Sequence, residues 1–148
     1  GGEASDVQPL AVYSERELAK EIELVAEQLR NADEWTSRLG ALRKLQALVL
    51  GGACEMDSFP AHLKALRESL GAAAADLRSS LVKEACALFE LLAKTMRESF
   101  EPFAEALVPV LLKNTYVTIL VISQSSNACI RTIMHHTVPL RCLPRLIQ

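Results

Sequence analysis

The stretch NADEWTSRLGALRKLQAL, residues 31–48, puts the one tryptophan of the chain, Trp35, in the first turn of a helix-forming run. A tryptophan that serves a core stands mid-helix among apolar neighbours. Trp35 has Asp33, Glu34, Thr36 and Arg38 around it. Beyond it Leu39, Leu42, Leu45 and Val49 recur at helical spacing and make one apolar face. Asp33 reads as the N-cap of this helix, and Gly51-Gly52 reads as its stop.

The neighbouring segments follow the same logic. Upstream, YSERELAKEIELVAEQLRN carries a capping box, Ser14 with Glu17, and a hydrophobic staple, Tyr13 with Leu18. Leu18, Ile22, Val25 and Leu29 form its buried stripe. A third helix starts after Asp57 or Ser58 with Pro60 in its first turn, buries Leu63, Leu66 and Leu70, and ends at Gly71. A fourth, capped by Asp76, runs to about Thr95 with Leu81, Ala85, Leu88 and Leu92 inward. A fifth covers about Ser99 to Leu112 with Phe103, Leu107 and Leu111 inward and a kink at Pro109. TYVTILVI is rich in β-branched residues, as strands are. Yet Ile119, Ile122, Ser126, Ile130 and Ile133 keep a helical spacing, and no second strand-like segment offers to pair, so the sixth segment reads as helix. A last helix begins near Pro139, with Leu140 and Leu143 inward.

These helices come as hairpins, and the second member of each resembles the others. EWTSRLGALRKLQAL, DLRSSLVKEACALFEL and TYVTILVISQSSNACIRTIM each open with a polar turn and run into an apolar stripe. Leu45, Leu88 and Ile130 fall at equivalent places, 43 and 42 residues apart, as do Leu48, Leu91 and Ile133. That period belongs to HEAT or armadillo repeats, which stack because one hairpin cannot bury both its faces. The expected fold is an all-α HEAT-repeat α-solenoid. It has three hairpins, at about 14–50, 57–95 and 98–136, and the start of a fourth at 139–148. Residues 1–11 read as a flexible lead-in. In such a stack the turns within repeats line one edge, roughly 10 Å apart at ordinary helix-packing distances.

Composition narrows the function. Half of the residues are hydrophobic and 5% aromatic, which suits a Leu/Ala core of packed helices. A net charge of −2 gives no global nucleic-acid signal. The four cysteines, Cys54, Cys86, Cys129 and Cys142, fit no CxxC pair or compact disulfide framework and read as reduced core thiols of an intracellular protein. The longest apolar run, Ala106 to Ile122, holds Pro109, Lys113 and Asn114 and makes a poor membrane span. No signal-peptide pattern opens the sequence. Adjacent His135 and His136 point about 100° apart on a helix and do not chelate together, so no metal site is expected. No phosphate-binding Gly loop, cofactor site or catalytic set stands out, and the reading is of a binding protein, not an enzyme.

Four segments in order, VYSERELAKEIE, EWTSRLGALRKLQALVLGGA, DLRSSLVKEAC and VTILVISQSSNACIRTIM, resemble the TOG domains of the CLASP family of microtubule-associated proteins. SSLVKEAC and VTILVI are nearest to the plant-type wording of the second such domain. The resemblance covers residues 12–148. By the family's pattern a complete TOG domain carries further repeats, so this chain corresponds to its N-terminal half. The resemblance implies a HEAT-repeat paddle whose turns contact tubulin. Trp35 matches the tryptophan that packs on an apolar tubulin surface, with Arg38 flanking it one helical turn on. Arg78, Ser79 and Lys83 match the basic and polar contacts of the second turn. Lys113, Thr115 and Thr118 stand at the third turn, which is less basic than the animal pattern. It also implies a cytoplasmic location on microtubules, with tubulin and microtubules as partners and neither nucleic acid nor membrane.

The blander readings are a staple-like packing role for Trp35 and a solvated helix face for Arg78 and Lys83, with Arg78 pairing to Asp76. An alternative function is a general HEAT scaffold that holds a partner's helix on its helix surfaces. The chain is expected to be a monomer, with the apolar Leu143, Leu146 and Ile147 of its last helix open to self-association or domain exchange.

Overall fold

Helix α1 spans Glu15–Arg30, α2 Trp35–Leu50, α3 Phe59–Ala74, α4 Ser79–Met96, α5 Glu101–Asn114 and α6 Leu120–Thr137. They come from a computed structural model that describes residues 6–31, 33–116 and 119–137. The fold is all-α and HEAT-like, with no strand among the described residues. The β-branched run before α6 feeds a helix. The last helix expected near Pro139, and with it the partial fourth repeat, lies outside the described residues. The chain divides into two compact units, one up to Leu66 and one from Arg67.

In the first unit α1 packs on α2. Leu18, Ile22, Val25 and Leu29 of α1 are buried, as are Ala41, Leu42, Leu45, Leu48 and Val49 of α2. Leu39, expected in that stripe, is only half-buried. It is the fifth residue of α2, ahead of the fully buried stretch that begins at Ala41. The capping box at α1 forms: Ser14 Oγ accepts the Glu17 N–H at 3.1 Å, and Glu17 Oε2 accepts the Tyr13 N–H at 2.9 Å. The staple does not form, because Tyr13 is exposed. The chain ahead of α1 is drawn elsewhere. Leu10 donates its N–H to Ala47 O, in the last turn of α2, at 2.9 Å. The segment expected as a loose lead-in is therefore docked at Leu10. A methyl group built on Gly51 would collide with the Leu10 carbonyl, so glycine is needed there for close approach rather than for its conformation. Gly52 is different: its φ of 99° is left-handed and turns the chain into the short 3-10 segment Ala53–Glu55. Lys44 Nζ meets Glu21 Oε1 at 2.6 Å across α2 and α1.

In the second unit α6 lies against both α4 and α5. Leu81, Val82, Ala85, Leu88, Phe89 and Leu92 of α4, Phe103, Leu107 and Leu111 of α5, and Ile122, Cys129 and Ile133 of α6 are buried. Phe100, in the 3-10 turn Arg97–Phe100, stacks on Phe103 with ring centres 5.9 Å apart. Pro109 stands on the exposed side of α5, and the helix continues past it to Asn114. Thr132 Oγ1 donates to Glu90 Oε1 at 3.2 Å, and Cys129 Sγ to Cys86 O at 3.6 Å. The partners are 42 and 43 residues apart. Ser58 N–H and Glu15 Oε2 in the first unit also bond 43 residues apart, at 3.2 Å. The repeat period of the sequence is thus the register of these bonds.

Three helix ends differ from expectation. Glu34, not Asp33, is the N-cap residue of α2, and its side chain makes no capping bond; its carboxylate takes the Thr36 hydroxyl at 3.3 Å instead. Helix α3 does not stop at Gly71. Ala73 and Ala74 are fully buried, and that burial with alanine's helix preference outweighs the roughly 1 kcal/mol disadvantage of one glycine. Asp76 does not cap α4. Its Oδ1 accepts the Arg78 N–H at 2.7 Å, a local turn that delays the helix until Ser79.

Two substitutions test the packing. Gly51→Ala is allowed at φ −81°, so any loss reports the Leu10 contact; about 1–3 kcal/mol is expected in urea unfolding. Asn114 is 6% exposed and donates Nδ2 to Ala74 O at 2.6 Å. Asn114→Ala leaves that buried carbonyl unpaired and is expected to lower stability by about 1–3 kcal/mol in the same assay.

Candidate functional site

The candidate residues stand in the turns between paired helices. In the first unit Trp35 is the first residue of α2 and keeps 37% of its surface exposed. It is not a core residue, and the rest of its surface is shielded. The Glu34 carbonyl accepts the Ser37 and Arg38 N–H groups at 3.1 and 3.3 Å, which fixes the backbone on which Trp35 rides. Arg38, one turn on, is half-buried. Lys44, deeper in α2, is engaged by Glu21 and so belongs to the fold.

The second unit holds two turns. In the one between α3 and α4, Arg78 is exposed at the N-cap position of α4, on a backbone set by Asp76. The bond to Asp76 runs through the Arg78 main chain. Ser79, the first residue of α4, is half-buried, and Lys83 is exposed one turn later. In the turn between α5 and α6, Lys113 is exposed. Thr115 directs its hydroxyl to Leu112 O at 2.7 Å. Its proton is therefore spent on closing α5. Thr118 lies outside the described residues. The buried Asn114–Ala74 bond ties the end of α5 to the end of α3. Arg78, Ser79, Lys83, Lys113 and Thr115 therefore stand on two adjoining turns at one end of this unit.

Sequence reasoning placed Leu77 and Tyr116 in these turns but singled out only the cationic and hydroxyl residues as contacts. Leu77 and Tyr116 are both largely in water, as is Leu120 at the start of α6. The available signal was that Leu77 and Tyr116 fall outside every helical stripe.

Other chemistry is thin. Among the described residues no group of three or more His, Cys, Asp or Glu is placed to hold a metal. None of their helices is long and apolar enough to cross a membrane. His136 Nδ1 lies 2.9 Å from Thr132 O in its own helix and so acts as a donor. Cys54, Cys86 and Cys129 are free thiols; Cys142 lies outside the described residues. A hydrogen bond with Cys86 and then burial push the Cys129 thiol well above its ordinary value. Burial, then the Glu55 carboxylate, pushes Cys54 from 9.0 up to about 11. Neither is a ready nucleophile.

Comparison with known proteins gives one consistent answer. Residues 18–147 match the family model described as CLASP N terminal. The chain is 40% identical over its whole length to CLIP-associated protein of Arabidopsis thaliana, of which it covers 11%. It is 35% identical over 87% of its length to an uncharacterised protein of Dictyostelium discoideum, covering 16% of it. To CLIP-associating protein 1-A of Xenopus laevis it is 32% identical over 94% of its length, covering 10%. The chain thus spans about a tenth to a sixth of the length of these relatives.

The thiol at Cys54 makes a pH prediction. The folded protein holds this proton more tightly than the unfolded chain does, since the folded value is the raised one. The stability it contributes is complete below pH 9.0 and is lost as pH rises to about 11. The urea midpoint is expected to fall across that window, and Cys54→Ser, which does not ionise there, is expected to flatten the fall.

Proposed function

The chain belongs to the CLASP N-terminal family, and on that premise we propose that it is a TOG-type module that binds tubulin through its helix-to-helix turns. The observation that carries this reading is Trp35. A large, rigid, amphipathic side chain held at a helix start with 37% of its surface in water is the kind of anchor that dominates protein interfaces. In this reading Trp35 enters an apolar recess of tubulin, with Arg38 beside it. Arg78, Ser79 and Lys83 supply the second contact, and Lys113, Thr115 and Thr118 the third. The exposed Arg78 and Lys83 steer the module toward acidic tubulin and set its register.

The mechanism is binding, not chemistry. That the module is a second, plant-type TOG domain is part of this proposal; the 40% identity to a plant relative is in keeping with the plant-type wording. In a longer protein with several such modules, weak single sites gain avidity by tethering. An effect on microtubule dynamics follows from binding one tubulin curvature better than another, since a ligand shifts an equilibrium only by differential affinity. The site of action is then the cytoplasmic microtubule.

Tubulin gel filtration and microtubule co-pelleting of the wild type beside Trp35→Ala/Arg78→Ala test this. Loss of a hot-spot anchor alone is expected to weaken binding by about 2 kcal/mol or more, roughly 30-fold. Binding should also fall with salt. A folded wild type that ignores tubulin, or a double variant that binds as well as wild type, would overturn the proposal. The second outcome would point to a partner held on the helix surfaces.

A further inference from the structure

Two buried thiols meet where α4 packs on α6. Cys86 and Cys129 each follow an alanine, in EACALFE (residues 84–90) and NACIRTI (residues 127–133). Cys86 is 2% exposed and Cys129 is fully buried. Cys129 Sγ donates to Cys86 O at 3.6 Å, and the two thiols are also within hydrogen-bond reach of one another. One helical turn on, Thr132 Oγ1 donates to Glu90 Oε1 at 3.2 Å. Residue 86 thus pairs with 129 and residue 90 with 132, so the two helices run parallel with these side chains in their seam. A disulfide needs two side chains that face each other across one contact in this way. Cys54 has no such counterpart, being the one cysteine of the first unit.

Burial decides the kinetics. The thiolate is the attacking form of a cysteine, and the Cys86 hydrogen bond with burial keeps the proton on Cys129. The closed fold therefore protects the pair, and reaction waits on a local opening of α6 against α4. When the helices close again the two sulfurs return to each other. A sulfur oxidised in the open state then meets its partner thiol.

We propose that Cys86 and Cys129 are a redox pair that a hydroperoxide closes into a disulfide, locking α4 to α6. In the first step one thiolate attacks a peroxide oxygen. The O–O bond breaks, hydroxide leaves and takes up a proton as water, and the sulfur becomes a sulfenic acid. In the second step the partner sulfur attacks that sulfur. The S–O bond breaks, the oxygen leaves with the partner's proton as a second water, and the S–S bond forms. The two sulfurs give up two electrons, which reduce one hydrogen peroxide to two waters. A thiol reductant reverses the bond by exchange. The link joins residues 43 apart, restricts the unfolded chain and fixes the register of the two hairpins.

The test treats the reduced wild type with hydrogen peroxide in native buffer, beside Cys86→Ala. Peptide mass spectrometry maps the thiols and thermal melting follows the fold. The expected product is a cross-linked Cys86–Cys129 peptide, short of two hydrogens, that dithiothreitol restores to free thiols. The melting temperature of the oxidised protein is expected to rise by roughly 5–15 °C, and Cys86→Ala to show neither change. If Cys86→Ala does not fold, the peptide map of the wild type and its reversal by dithiothreitol carry the test. Free thiols at both positions would overturn the proposal. So would sulfinic acid at either without the cross-link, cross-links only through Cys54 or Cys142, or a Cys86–Cys129 cross-link that forms only in denaturant. A native cross-link that left the melting temperature unchanged or lowered it would overturn it too, since the bond would then lock nothing.

Discussion

The packing of a helix on its counterpart one repeat later is the interaction on which the rest depends. Helix α6 packs on α4, Leu88, Leu92, Cys129 and Ile133 of the two helices are fully buried, and Thr132–Glu90 and Cys129–Cys86 bond across them at separations of 42 and 43 residues. A lone amphipathic hairpin leaves one face in water. Stacking the next hairpin on it, in register, removes that face. The register is set by side-chain volume in the stripe and held by these few polar contacts. One residue of slip would swing the stripe about 100° away from its partner.

Because the helices carry the core, the turns are released from it. Their residues can be chosen for what they present, provided the helix ends are closed. The closing is done by small local bonds: Asp76 to the Arg78 N–H, Thr115 to Leu112 O, Asn114 to Ala74 O. The Asp76 and Asn114 bonds satisfy main-chain groups at helix ends, and the Thr115 hydroxyl joins its own N–H on Leu112 O. Each also stiffens the platform from which an exposed neighbour projects. Arg78 and Tyr116 stand next to or near such bonds.

The same economy explains Trp35. As first residue of α2 it lies ahead of the buried stripe that begins at Ala41, so no core position asks for it. Its neighbours in the turn are polar, and its surface is divided between shelter and solvent. That division separates Trp35 from the core residues of α2, and it is visible only when burial is known.

Much was legible in the sequence by itself. Spacing of Leu, Ile, Val and Phe fixed every described α-helix and most of the core, because an apolar stripe at helical period has few other uses. The capping box at Ser14 and the repeat period were legible for the same reason: both are local patterns. The candidate turns were legible as places, and their cations as residues. What only the tertiary structure decided were the contacts between distant segments and the local bonds that competed with them. Gly71 reads as a stop, but burial of Ala73 and Ala74 carried the helix through it. Asp76 reads as a cap, but its carboxylate closed a turn instead. Leu10 reads as lead-in, but its N–H found Ala47, and Gly51 made room. Asn114 reads only as a polar interruption of an apolar run, yet it is a buried clamp. Exposure of Leu77, Tyr116 and Leu120 is likewise a property of what fails to cover them, and that depends on the path of the whole chain.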